Sequence, residues 1–100
     1  MARFDLYELR GGEGYVVDVQ SDHASDRLRT RIVVPLLPLD ALGSTISELN
    51  PVVRLGERDH VFVAQALATL TRAELGTLVG SLAQHHDAFT RALDILLTGF

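Results

Sequence analysis

Apolar and polar side chains alternate along Tyr15-Val16-Val17-Asp18-Val19-Gln20, and the run stops on Ser21-Asp22, a turn signal. The spacing predicts a central β-strand over Tyr15–Gln20. Tyr15, Val17 and Val19 fall on an apolar face, while Val16, Asp18 and Gln20 fall on a mixed face expected to be open or to meet a partner. Arg31–Leu36 is a second β-rich run, expected to end at Pro35 and Pro38 because proline withdraws a ladder donor. Phe4–Leu9 alternates too. The glycines of Gly11-Gly12-Glu13-Gly14 permit the positive φ of a hairpin, so Phe4–Leu9 is expected to pair antiparallel with Tyr15–Gln20. Pro51–Leu55 and His60–Ala64 read as a second hairpin around a loop Gly56–Asp59, with Leu37–Gly43 a turn and apolar patch and Ser44–Leu49 a short strand.

From Thr71 onward the pattern changes to the helical period of about 3.6. Leu75, Val79, Leu82, His86, Phe89, Leu93 and Leu96 are spaced alternately by four and three, which lines them along one face with His86 the polar member. Two capping boxes compete for the start, Thr71-Arg72-Ala73-Glu74 and Ser81-Leu82-Ala83-Gln84. Gly76 and Gly80 weaken a helix begun at the first, so the expected helix runs from about Leu82 to Leu97 and is capped by Gly99. Five or six short strands with one terminal helix predict an α+β fold, a strongly bent antiparallel sheet or barrel closed by the helix, as a single domain over residues 1–100.

Composition narrows the function. With 47% hydrophobic residues in 100, the chain can build one core without staples, and with no cysteine it carries no disulfide or thiolate zinc site. The opening residues Met1–Leu6 mix charged and apolar side chains, and no uncharged apolar run approaches the ~20 residues of a membrane span. A cytoplasmic protein is expected. A net charge of −4 gives little support to a sequence-independent grip on nucleic acid, which favours a protein partner.

Candidate chemistry is sparse. Gly11–Gly14 lacks the Lys-Ser/Thr of a phosphate loop, and Ser44 lacks the glycines of a nucleophile elbow. His85 and His86 project about 100° apart on a helix, so they do not share a metal; His86 reads as a core or interface side chain and His85 as exposed. The segment Ser21–Arg29, with Asp22, His23, Asp26, Arg27 and Arg29, reads as a solvated connection or a contact loop. No enzyme, cofactor or metal is expected from these residues.

Three blocks, Val17-Asp18-Val19-Gln20-Ser21-Asp22, Arg31-Ile32-Val33-Val34-Pro35-Leu36 and Pro51-Val52-Val53-x-Leu55-Gly56, resemble the hallmark blocks of the CcdB toxins, and the resemblance covers nearly the whole chain. It implies a homodimeric SH3-like barrel with a C-terminal helix, the toxin of a toxin–antitoxin pair, which binds DNA gyrase A and is neutralised by the disordered tail of a CcdA-like antitoxin. By the same resemblance, gyrase would meet Asp94, Thr98, Gly99 and Phe100, with His23 and Ala24 at the rim. The antitoxin would meet Glu8, Leu9, Arg10, Gly11, Gly12, Glu13 and Gly14. Gyrase-acting members carry Trp where this chain has Thr98, Asn at Asp94 and an aliphatic pair at His23-Ala24, so a weaker gyrase contact is expected. A non-toxic relative that keeps the dimer and antitoxin surfaces is the alternative, and a ribonuclease toxin of similar barrel fold is a third, against which the acidic balance counts.

Overall fold

The structure is a computed structural model that describes residues 2–12 and 14–99. Strand β1 (Asp5–Leu9) and β2 (Tyr15–Asp18) form the expected antiparallel hairpin, in register Leu6↔Val17 and Tyr7↔Val16. A single helical turn, α1 (Asp22–Ser25), leads to β3 (Thr30–Pro38). After it come β4 (Val52–Leu55), β5 (Arg58–Phe62), β6 (Ala68–Thr71), β7 (Leu75–Ser81) and α2 (His86–Thr98). The seven strands among the described residues lie in the order β4-β5-β3-β2-β1-β7, with β6 also on β3. The sheet curls into a half-barrel, and α2 packs into its concave face: Phe89, Ala92 and Leu93 join Phe4, Leu6, Val17, Val34, Leu36 and Phe62 in the main core. The Phe62 and Phe89 rings stack at 4.1 Å, and burial of each ring stabilises the helix dock by roughly 1.5–3 kcal/mol.

β3 does not end at Pro35. On one side it pairs with β2 (Val16↔Pro35); on the other its pairing with β6 stops at Val33 and that with β5 starts at Leu36. Pro35 falls in the gap between the two partners, where a missing N–H leaves no ladder bond unmade, and its carbonyl still accepts from the Val63 N–H at 3.1 Å. Leu36 is fully buried, whereas Leu37 and Leu39 of the expected apolar patch are exposed.

The mixed face of β2 is not open. Val16 packs with Tyr7, Val33 and Leu75 in a second core on that side, because β7 and β6 fold against it. Asp18, 0% exposed, accepts from the Nε and a terminal nitrogen of Arg31, itself 0% exposed, across the β2–β3 pair. Burial pushes the Asp18 carboxyl above its ordinary value, and the Arg31 hydrogen bonds and charge pull against that rise. The strand stops at Asp18 rather than Gln20, although the Val19 N–H still donates to Ile32 O.

The helical period read from Thr71 begins too early. Leu75 and Val79 lie on β7, paired with β1 through Tyr7↔Leu78 and Leu9↔Leu75, and a Cβ at Gly76 would come within 2.6 Å of Glu8 O. Glycine there permits a close strand approach that a side chain would block. The Thr71–Glu74 box does form, with Glu74 Oε1 accepting from the Thr71 N–H and hydroxyl, but it caps only a 3-10 turn, Arg72–Glu74. A second 3-10 turn, Ala83–His85, precedes α2, so the α-helix starts four residues later than expected from Leu82. That offset exchanges the histidines: His85 is half-buried and stacks on Phe89, and His86 is exposed with its ring edge-on to Phe4. Gly99 at φ 84 is the expected C-cap.

The Ser44–Leu49 segment is irregular rather than a strand, because Asn50 organises it. Its Oδ1 accepts from the Ile46 N–H, and its Nδ2 donates to Phe62 O and Gln65 Oε1. The β4–β5 turn is also tighter than the four-residue loop expected, since Leu55 pairs directly with Arg58 around Gly56-Glu57.

Candidate functional site

Two short pieces of chain, far apart in sequence, meet beside the C-terminal half of α2. The first is α1, whose geometry follows from its cap. Ser21 Oγ accepts from the Ala24 N–H at 3.2 Å, the Ser25 hydroxyl donates to Ser21 O, and Asp22 accepts from the Arg3 N–H at 2.7 Å. These bonds leave His23 exposed and turn Ala24 inward, half-buried. The second is the last turn of α2, where the Thr98 hydroxyl donates to Asp94 O at 2.6 Å and the Gly99 N–H reaches Asp94 O and Ile95 O.

Between them runs a groove of about 450 Å³. Ala24 and Asp94 both line it, with Ile32, Leu67, Leu93 and Leu97 as its apolar walls. Leu97 is 70% exposed and Leu28, which also lines the groove, is 46% exposed. A concave apolar surface with a carboxylate at its edge suits a protein side chain as anchor better than a small charged ligand. Thr98 and Gly99 follow Leu97 directly and are exposed; Phe100 lies outside the described residues. Leu97 was left out of the apolar stripe counted as core, although it lies one turn after Leu93 and beside that stripe. An apolar residue adjoining the stripe in the last turn of an amphipathic helix was the available signal.

The residues assigned to an antitoxin lie elsewhere. Glu8 and Leu9 end β1, Arg10 begins the turn, and the turn is closed by the Leu9 N–H on Gly14 O and the Gly12 N–H on Leu9 O. Gly11 and Gly14 take φ of 67 and 115, which requires glycine, and Arg10 N–H donates to Glu74 O. Glu13 lies outside the described residues. Arg3, just before β1, lines the groove, so the groove and this turn occupy opposite ends of the same strand.

A second cleft, of about 460 Å³, opens where the β4–β5 hairpin approaches β7. Arg54, Arg58, His60 and Tyr15 line it, the last two edge-on at 5.8 Å. His60 Nδ1 lies 3.2 Å from Arg58 O, a carbonyl that only accepts, so in the neutral ring Nε2 carries the free lone pair. Sequence spacing gave no hint of this set, because its members come from three different strands. Among the described residues no three His, Cys, Asp or Glu side chains are placed to hold a metal, and no helix is long and apolar enough to cross a membrane.

The family model described as CcdB protein matches residues 3–99. The chain belongs to the CcdB family. Membership makes it a toxin of the toxin–antitoxin kind and carries with it an antitoxin as partner. No curated protein matches its sequence. Among solved structures, an endoribonuclease in complex with its cognate antitoxin from Mycobacterial species has a TM-score of 0.78 at 19% identity, covering 97% of this chain and 94% of its own. An endoribonuclease from Mycobacterial species has a TM-score of 0.77 at 18% identity, covering 97% and 90%. The Mycobacterium tuberculosis toxin MazF-mt6 has 0.68 at 16%, covering 92% of each chain. The shared fold is the SH3-like barrel of MazF-type toxins, as the CcdB resemblance implied.

These neighbours also correct one expectation. The chain was expected not to be an enzyme, yet the same curled sheet and helix are found in endoribonucleases. The expectation failed because it rested on the lack of a linear motif. Catalytic sets assembled from several strands leave no such motif, and one fold carries several functions.

Proposed function

We propose that this CcdB-family chain is a cytoplasmic toxin that docks on DNA gyrase A through the groove between α1 and the end of α2, acting as a homodimer and neutralised by a CcdA-like antitoxin bound at the Glu8–Gly14 turn. The observation that carries the reading is the meeting of Ala24 and Asp94 on one apolar groove beside an exposed Leu97. Family resemblance alone assigns both positions to the gyrase contact, and chance gives no reason for them to share a surface. Thr98 and the Gly99 cap follow Leu97 directly and are exposed beside it, and the resemblance adds Phe100 to the same contact. Calorimetric titration of a gyrase A fragment tests it, using the intact chain, the Leu97→Asp variant, the Thr98→Trp variant and the chain lacking its last three residues. Leu97→Asp is expected to weaken binding at least tenfold, and Thr98→Trp to strengthen it, since a stacked indole is a strong interface anchor. Equal affinity for intact chain and Leu97→Asp removes the groove from the contact.

A second reading rests on the other cleft. His60 with Nδ1 turned to Arg58 O, a neighbouring tyrosine, and Arg54 and Arg58, held only by exposed ion pairs to Asp59 and Asp40, are side chains able to take a proton from a ribose hydroxyl and steady the charge on a phosphate. This supports RNA cleavage. Incubating the purified chain and its His60→Ala variant with a single-stranded RNA decides it: cleavage by the first and not the second supports the reading, and none by either sinks it.

A further inference from the structure

All nine basic side chains of this chain are arginines. Arg31, Arg54, Arg58 and Arg91 are each engaged by a carboxylate, from Asp18, Asp59, Asp40 and Glu48. Arg27, Arg29 and Arg72 instead converge on one open cleft of about 470 Å³, where Asp26 is the carboxylate lining the wall. The nearby acids are occupied elsewhere: Glu74 by the N–H and hydroxyl of Thr71, and Asp22 by the Arg3 N–H. A chain of net charge −4 thus carries a local positive patch.

The patch is held by backbone and adjoins the groove. Arg72 reaches across to donate to Ser25 O at 3.4 Å, and the N–H groups of Arg27 and Leu28 donate to Ala24 O, which ties the loop to α1. Leu28 lines both the arginine cleft and the apolar groove, so the two form one continuous surface. Guanidinium groups pair with carboxylates through two parallel hydrogen bonds, which makes arginine the suited residue for an acidic partner.

We propose that Arg27, Arg29 and Arg72 form a recognition site for an acidic segment of the same protein target that seats its apolar anchor in the adjoining groove. The proposal rests on the reading of that groove as the gyrase A contact. Two observations favour a polypeptide over a nucleic acid: the apolar groove continuous with the patch through Leu28, which a phosphate backbone would leave unfilled, and the acidic balance of the rest of the chain. The partner chemistry is therefore a run of Asp or Glu beside exposed Leu, Ile or Phe.

The experiment titrates the intact chain and an Arg27→Ala/Arg29→Ala/Arg72→Ala variant with the gyrase A fragment, at low and high salt. A synthetic peptide alternating Glu and Leu, its Gln-for-Glu counterpart and a single-stranded RNA oligonucleotide serve as independent probes. The expected result is about tenfold weaker fragment binding by the variant at low salt, a gap that closes at high salt, since exposed charge pairs are individually weak and screened. The Glu peptide is expected to bind the intact chain and not the variant, and the Gln peptide neither. Should the fragment bind both chains equally, the arginine site is overturned and the gyrase reading stands. Should the fragment bind neither while the Glu peptide distinguishes them, the acidic-segment site stands and gyrase is the wrong target. If neither the fragment nor the Glu peptide binds the intact chain, both readings are overturned, and an oligonucleotide bound more tightly than the Glu peptide replaces the acidic segment with nucleic acid.

Discussion

Arg27, Arg29 and Arg31 alternate along one stretch of chain, yet Arg31 is wholly buried while the other two are exposed in an open cleft. The difference begins at Thr30, where β3 starts and pairing with β2 and β6 turns Arg31 inward onto Asp18. The same guanidinium serves opposite purposes on either side of that boundary. Buried, it constrains the fold, because its charge has only one permitted partner; exposed, it contributes little to the fold and is free to meet another molecule.

The largest expected effect tests the buried half of this contrast. Asp18→Asn strands the Arg31 charge in the core and is expected to cost about 3–5 kcal/mol in a urea or guanidinium titration, while Asp18→Leu combined with Arg31→Met recovers most of it. A loss under about 1 kcal/mol would mean that Arg31 finds another partner, and the contrast would collapse.

Leu93 and Leu97, one turn apart on α2, repeat the comparison with apolar side chains. Leu93, buried in the core, is expected to cost about 2–5 kcal/mol on change to Ala, whereas Leu97→Asp leaves stability within about 0.5 kcal/mol and acts on target binding instead. Matching unfolding midpoints for the two variants would break the distinction.

Smaller still, Arg27→Ala with Arg29→Ala is expected to move stability by no more than about 0.5 kcal/mol, read from the thermal midpoint. A larger drop would place these arginines in the fold rather than on its surface.

Two acids give the last and smallest test, through pH. The Asp18 carboxyl, raised by burial above its ordinary 3.8, holds its proton more tightly folded than unfolded. The stability of the native chain relative to the Asp18→Leu, Arg31→Met double variant is therefore expected to decline as pH rises above that value. Glu74, lowered from 4.5 by its hydrogen bonds from Thr71, behaves oppositely: its contribution is present above pH 4.5 and lost as pH falls through the depressed range. Denaturation midpoints from about pH 2.5 to 7 for the native chain, the double variant and Glu74→Gln check both signs.

Where the signal was local, the sequence was legible. The β1–β2 hairpin followed from alternation and glycines, the apolar face of β2 from its period, and the end of α2 from Gly99. What failed depended on partners distant in the chain. Leu75, Val79 and Leu82 happened to match a helical spacing, but pairing of β7 with β1 overrode it, and Gly76 was the visible hint. Pro35 read as a stop because sequence does not show that β3 changes neighbours there. At the candidate site, resemblance points to Ala24 and Asp94; that they share a groove was not in the sequence at all, since α1 reaches α2 only through the fold.

The placement of β1 between β2 and β7 has a kinetic consequence. β1 finds β2 across a short turn, but its outer edge is covered only when β7, nearly the whole chain away, arrives. Phe4, buried at φ 70, joins the same late step, since its carbonyl accepts from the Leu82 N–H just ahead of α2. Loop closure on that scale is slow, and until it happens the hairpin presents the unpaired edge of β1. The native contact least tied to local sequence is therefore the one that ends exposure of that edge. Weakening β7, for example with a side chain at Gly76, is expected to lengthen the aggregation-prone phase of refolding even where the final fold survives.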